Sequence, residues 1–236
     1  NRIYFASNFI MEEALLIYPK LSKKSSYLPN PLPHRSLVID SERNQYRERF
    51  KFEDEDIVIG NAGWLIQRKR FDVFLRVCAG LKKNFPQIKI LIAGDGEEKE
   101  NLIALSRELG ILEDITWLGW QTNLVSFFHS LDFMVFNSDW DSVGLSPLEA
   151  MQLGIPAFCS VVNGGLGEIL INDYAFFIQS NHNLENLIKK IQYAIDNRNE
   201  IKDLTLKCRD HIHQISNPRI IAGEVLSNYS SSVQKI

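Results

Sequence analysis

The chain has little that would need a staple, a metal or a membrane. Its 236 residues contain only three cysteines, Cys78, Cys159 and Cys208, far apart and outside any CxxC or Cys/His cluster. That excludes a disulfide scaffold and a structural zinc site, and it fits reduced thiols in a cytoplasmic protein. The five histidines, His34, His129, His182, His211 and His213, lack metal-ligand spacing; His211 and His213 fall on different helix faces. They read as structural or surface residues. No GxSxG elbow and no HExxH pattern occurs, so hydrolase chemistry of those kinds has no support. The longest apolar run, Ile57 to Ile66, is too short to cross a bilayer and holds Gly60, Asn61 and Gly63. No signal peptide is visible, and a start at Asn1 rather than Met reads as a fragment.

Charge is equally unremarkable in total. With 26 Lys/Arg against 29 Asp/Glu and a pI near 6.0, there is no global footprint for nucleic acid. Residues 1–51 nevertheless hold nine Lys/Arg and five Asp/Glu. Such a basic end reads as a solvated face, the alternative being peripheral contact with an anionic membrane surface.

What is present is a regular alternation. Short apolar runs at Ile57–Ala62, Ile88–Ala93, Ile115–Leu118, Phe133–Asn137, Pro156–Ser160 and Ala175–Ile178 predict strands. Between and after them, helices are predicted at Arg70–Asn84, Glu97–Leu109, Leu124–Leu131, Pro147–Leu153, Leu184–Asn197 and Ile201–Ile215, with a last one at Pro218–Ser231. Strand–helix alternation demands a mostly parallel sheet covered on both faces: an α/β, doubly wound, Rossmann-like domain. A ligand belongs beyond the carboxyl ends of its strands. Upstream, Arg2–Phe5 reads as a strand and Asn8–Tyr18 as a helix. Pro29, Pro31 and Pro33 then mark a linker, followed by a polar stretch to about Asp56.

Four loops on one edge of this sheet could carry chemistry. In Asp139–Met151, Ser146 is a plausible N-cap, Pro147 suits the first helical position, and Glu149 completes an S-x-x-E capping box. Glu149 then either caps its own helix or faces a ligand. The amides of Gly144, Leu145 and Ser146 would point at an anion, with the helix dipole adding attraction. Asp141 lies eight residues before Glu149, where a cap requires nothing. In Gly63–Arg70, the cations Arg68, Lys69 and Arg70 precede a helix and can neutralise a diphosphate, although no GxxxxGK[ST] motif is present. Gly94-Asp95-Gly96 lacks the third glycine of a dinucleotide fingerprint. Asn163-Gly164-Gly165-Leu166-Gly167-Glu168 is a second glycine-rich strand exit.

In order and separation, Gly63…Lys69, Gly94-Asp95-Gly96, Ile115-Thr116-Trp117-Leu118-Gly119, Asp141…Glu149-Ala150-Met151, Gly154-Ile155-Pro156 and Gly164-Gly165…Glu168 resemble the C-terminal half of family 4 (group 1) glycosyltransferases. The resemblance covers about Ile57 to Ile178. It implies a GT-B fold and a retaining, metal-independent enzyme that uses a UDP-, GDP- or ADP-linked sugar and no other cofactor. It further implies that residues 1–30 end an N-terminal acceptor domain mostly missing from this chain. Residues 31–217 would then form the nucleotide-sugar-binding domain and 218–236 a helix crossing back.

Carried over by residue, Glu149 would hold the ribose hydroxyls, Asp141 would lie near the donor sugar and Lys69 would contact the diphosphate. Gly144, Leu145 and Ser146 would cradle phosphate beside Gly63 and Gly94, with base contacts from loops near Gly94 and Trp120. Two departures stand out. Trp64 occupies a position where the family has Arg, a loss that Arg68 or Arg70 would have to cover, and Asp141 replaces a Glu. Losing a positioned donor to developing charge costs about 3 kcal/mol. The implied acceptor is a glycan, a lipid-linked sugar or a protein glycan, and the place of reaction is the cytoplasm or the inner face of the membrane. The alternative is a non-catalytic glycosyltransferase-like subunit that binds a partner enzyme or a nucleotide without turnover.

Overall fold

The computed structural model describes residues 2–233, with side chains to residue 229. Six parallel strands form the main sheet: β3 (Ile57–Ala62), β4 (Ile88–Ala93), β5 (Ile115–Trp117), β6 (Phe133–Asp141), β7 (Ala157–Gly164) and β8 (Ile178–Gln179). Their spatial order is β5-β4-β3-β6-β7-β8, every neighbouring pair parallel. The chain therefore reverses its direction of winding between β3 and β6, which opens a crevice at their carboxyl ends. All six residues of β3 are buried, as expected of a central strand covered on both faces.

Helices α3 (Phe71–Lys82), α4 (Lys99–Glu108), α5 (Val125–Ser130), α6 (Leu145–Gln152), α7 (Leu166–Ile169), α8 (Leu184–Asp196) and α9 (Arg198–Ile215) connect and cover the strands. Helix α3 shows how: Phe71, Phe74, Leu75, Cys78 and Leu81 recur at helical spacing and are all buried. Phe127, Phe128, Phe158 and Phe177 fill the remaining space with edge-to-face ring contacts. Before the sheet come β1 (Ile3–Phe5), α1 (Asn8–Ile17) and β2 (Ser25–Tyr27), where β1 and β2 pair in parallel as a separate ribbon. The last helix, α10 (Pro218–Val233), follows α9; residues 234–236 of the expected crossing segment lie outside the described residues. The proline stretch is tied down rather than loose: Leu32 is buried and its amide donates to Ser216 O at 3.0 Å.

Four expectations need correction. The polar stretch after the prolines contains α2 (Asp40–Arg49), a helix held by charge instead of an apolar face. Arg43 and Arg47 both reach Asp132, and the buried Arg47 guanidinium also donates to Glu53 O and Asp56 O. Strands β6 and β7 run four residues further than predicted, to Asp141 and Gly164. Their tails pair with one another, Trp140 with Asn163 and Asp141 with Gly164. A β-carbon on Gly164 would stand 2.2 Å from Asp141 O, so glycine permits that close approach. The segment expected as a strand at Ala175–Ile178 is mostly a 3-10 turn, Asn172–Phe177. Finally, α6 begins at Leu145 with Gly144 in the left-handed region (φ 76°) as its N-cap, and no side chain caps it. Ser146 and Glu149 form no capping box.

Candidate active site

A cleft of about 380 Å³ opens at the carboxyl ends of β3 and β6. Four loops form it: the turn after β3, the Gly94 turn after β4, the loop after β5 that carries Trp120, Gln121 and Leu124, and the β6–α6 connection. The first two are pressed together. Gly63 N donates to Ala93 O at 2.9 Å, Gly94 N donates to Gly119 O at 2.8 Å, and a β-carbon on Gly94 would lie 1.9 Å from Gly63 O.

Lys69 and Asp141 meet across the cleft as an ion pair, their side chains 16% and 12% exposed. The Asp141 carboxylate also accepts from the Gly144 amide at 3.1 Å. The Gly144 amide is therefore already engaged, whereas among the described residues the amides of Leu145 and Ser146 have no acceptor. Orphan first-turn amides of this kind attract anions. The Ser146 hydroxyl turns towards Ala62 O at 3.5 Å.

Glu149 sits on the first turns of α6 with its carboxylate in the same cleft. Burial pushes its carboxyl up from the ordinary value, and Arg35, 3.5 Å away, pulls the other way. Burial is the larger influence because the ion pair is long and its Arg35 side is 28% exposed.

Of the residues singled out in the sequence, Lys69, Asp141, Glu149, Gly144, Leu145, Ser146, Gly63 and Gly94 line this one cleft. Arg68 does not. Its guanidinium donates to Trp140 O at 2.9 Å and lies 5.8 Å from the Trp140 ring centroid. Arg70 is likewise committed elsewhere, to Asp72 and Asp139. Neither arginine takes the place that Trp64 leaves; among the described lining residues the cation is Lys69, with Arg35 reaching Glu149 from outside the lining.

The Gly164–Glu168 loop is absent from the lining as well. Its Glu168 carboxylate accepts from Asn8 N at 2.9 Å and Phe9 N at 2.7 Å, capping the start of α1 beside Ser7. Sequence reasoning missed Asn30, Gln121 and Phe136 as lining residues. Trp64 and Trp120 form the lip, edge to face with centroids 5.0 Å apart and each more than half exposed. Among the described residues no three His, Cys, Asp or Glu side chains gather as a metal-binding cluster, and no helix is long and apolar enough to cross a membrane.

Comparison with known proteins bears on this geometry. The family model for glycosyl transferases of group 1 matches residues 42–210. An uncharacterized glycosyltransferase of Haemophilus influenzae is 30% identical over 148 residues, covering 62% of this chain and 41% of that protein. The O-antigen biosynthesis glycosyltransferase WclY of Escherichia coli is 26% identical over 193 residues, covering 82% of this chain and 51% of the relative. The chain thus spans about half, or less, of the length of these relatives. Among solved structures, Anabaena Alr3699/HepE in complex with UDP superposes with a TM-score of 0.87 at 16% identity, over 98% of this chain and 64% of that one. WaaG, a glycosyltransferase involved in lipopolysaccharide biosynthesis, gives a TM-score of 0.78 at 15% identity, over 89% of this chain and 58% of that one. At such identities the likeness is one of fold.

Proposed function

The chain belongs to the group 1 glycosyl transferases, and from that premise we propose that it is the donor-binding half of a retaining, metal-independent enzyme of family 4. The observation that carries this reading is the cleft itself. It brings Lys69, Asp141, Glu149 and the unengaged amides of Leu145 and Ser146 together where a parallel sheet reverses its winding.

In this reading Glu149 accepts hydrogen bonds from the ribose hydroxyls, and Lys69 with the two amides faces the diphosphate. Glycine at 63 and 94 lets the backbone come close to the ligand. Residues 31–217 form the donor domain, residues 1–30 end the acceptor domain, and the last helix crosses back. The glycosidic bond to the diphosphate breaks with its electron pair leaving on phosphate oxygen. The acceptor oxygen bonds to the same anomeric face as its O–H bond breaks, the proton passing to the departing phosphate oxygen. Lys69 and the helix amides stabilise the charge that develops on the leaving group, an electrostatic service preorganised before reaction. Asp141 orients Lys69 and lies near the transferred sugar. The acceptor is a surface glycan or lipid-linked sugar, in keeping with relatives named for O-antigen and lipopolysaccharide synthesis, and the use of a nucleotide sugar puts the reaction in the cytoplasm or at the inner membrane face.

The test is calorimetric titration of UDP, GDP and ADP without added metal. One of them is expected to bind, UDP being the first to try because a neighbour of the same fold holds it, and Glu149→Ala should abolish that binding while the thermal transition persists. Absence of binding by all three, or unchanged affinity in Glu149→Ala, would overturn the reading.

A further inference from the structure

The tail of β6 grips the basic loop residue by residue. The Ser138 hydroxyl shares its proton between Trp140 O at 2.8 Å and Arg68 O at 3.2 Å, and Arg68 donates to Trp140 O. Arg70 Nη1 donates to Asp139 Oδ1 at 3.0 Å, and Asp141 takes Lys69. Four consecutive strand residues therefore fix three consecutive loop residues, with Lys69 facing into the cleft and Arg70 away from it.

Arg70 is the unusual member. Its backbone is left-handed (φ 46°, ψ 44°) and it ends the 3-10 turn Gln67–Lys69 ahead of α3. A residue with a β-carbon rarely adopts this conformation unless its surroundings impose it. The surroundings are two aspartates. Arg70 Nε and Nη2 fork onto Asp72 at 2.9 and 3.0 Å, and Nη1 takes Asp139. Asp139 Oδ1 in turn bonds His182 Nε2 at 3.0 Å. His182 Nδ1 is 2.7 Å from the hydroxyl of buried Ser160, which accepts from buried Asn137. A single exposed ion pair would hold little. A bidentate fork joined to a chain that ends in the core is a different case, because each link fixes the geometry of the next.

We propose that Arg70 is a positioning residue: by bridging Asp72 and Asp139 it locks the left-handed turn that aims Lys69 into the cleft. The inference rests on the diphosphate role given to Lys69 above. Two variants test it. Arg70→Gly removes the bridge while glycine still accommodates the left-handed backbone, so the fold is retained. Asp139→Asn keeps the Asp72 fork but strips the charge from the tie between the turn and β6 and from the His182 contact on the same oxygen, which loosens the turn.

Affinity for UDP should fall about tenfold in both, with the loss absent for uridine, which has no diphosphate. Backbone amide exchange over 66–70 should speed up while exchange in β3 and β4 stays unchanged. Asp139→Asn is decisive because it removes a negative charge near the cleft. If Arg70 and Asp139 acted only through their charge, Asp139→Asn would tighten UDP binding, and that result would overturn the proposal. So would unchanged exchange over 66–70 in both variants. Lys69→Ala, measured alongside, separates the two readings. If it leaves the UDP-to-uridine ratio untouched, the diphosphate role of Lys69 fails. If it removes the preference for UDP while Arg70→Gly and Asp139→Asn keep it, only the positioning role fails.

Discussion

The Lys69–Asp141 pair should make unequal contributions when its two members are removed. At about 4 Å and an effective dielectric near 20, opposite unit charges attract by about 4 kcal/mol, most of it offset by lost hydration. What remains depends on the partner left behind. Lys69→Ala strands a carboxylate that is 12% exposed and keeps one amide donor, from Gly144. An incompletely satisfied buried acceptor of this kind costs about 2 kcal/mol. Asp141→Asn strands an ammonium on a flexible stem, 5.0 Å from the Phe136 ring. That cation keeps some attraction to the ring and can swing towards water, and the Asn carbonyl can still accept from Gly144, so the cost is nearer about 1 kcal/mol. The double variant should lose less than the two together, with a coupling of about 1 kcal/mol. Urea unfolding of the four proteins measures all three quantities, and in thermal melts Lys69→Ala should lower Tm by about 5 °C. Because both groups are mostly buried, the coupling should largely persist in 1 M salt. Equal single costs, or additivity within about 0.3 kcal/mol, would refute the argument.

Glu149→Gln should stabilise the protein by about 0.5–1 kcal/mol at pH 7, as relief of a costly functional group often does. Burial raises the folded carboxyl above its ordinary 4.5, so ionised Glu149 costs stability once pH exceeds that value. The advantage of Gln should therefore fade below it in urea melts taken from pH 7 to pH 4, and a less stable Gln variant at pH 7 would show that the Arg35 pair outweighs burial. Gly94→Ala drives a β-carbon against Gly63 O and should cost about 3 kcal/mol in the same assay. Gly167→Ala, with open space around it, should change stability by less than about 0.5 kcal/mol.

The core of the sheet was legible because its strands are buried on both faces. Ile57–Ala62 and Ile88–Ala93 are mostly small or apolar, with only Asn61 and Lys89 breaking the pattern, and fold with the predicted limits. Hydrophobic pattern loses its force where polar atoms decide the conformation. The tail Ser138–Asp141 has no apolar period and pairs only because Gly164 allows the strands to close. Helix α2 has no apolar stripe either, yet Asp40 and Glu42 in its first turn and Arg47 and Arg49 in its last match the helix dipole, a signal the sequence did carry. The candidate site was legible as a set of loops and not as a set of directions. Arg68, Lys69 and Arg70 look alike in sequence, but the left-handed turn sends Lys69 alone into the cleft. The S-x-x-E pattern likewise misled, since Gly144 already terminates the helix and leaves Glu149 to the cleft.

The cleft has one wall whose residues are tied by polar bonds to the loops around it and one lip whose two residues stand more than half exposed. Along the tail of β6 almost every side chain is answerable to another, so a change there propagates into the turn before α3. Trp64 and Trp120 meet edge to face at the opening with more than half of each exposed. Anyone wishing to retune what the cleft admits would therefore do best to randomise the lip and leave the strand alone. Drift in a lineage should follow the same division, with variety accumulating at the two indoles long before it reaches Ser138–Asp141.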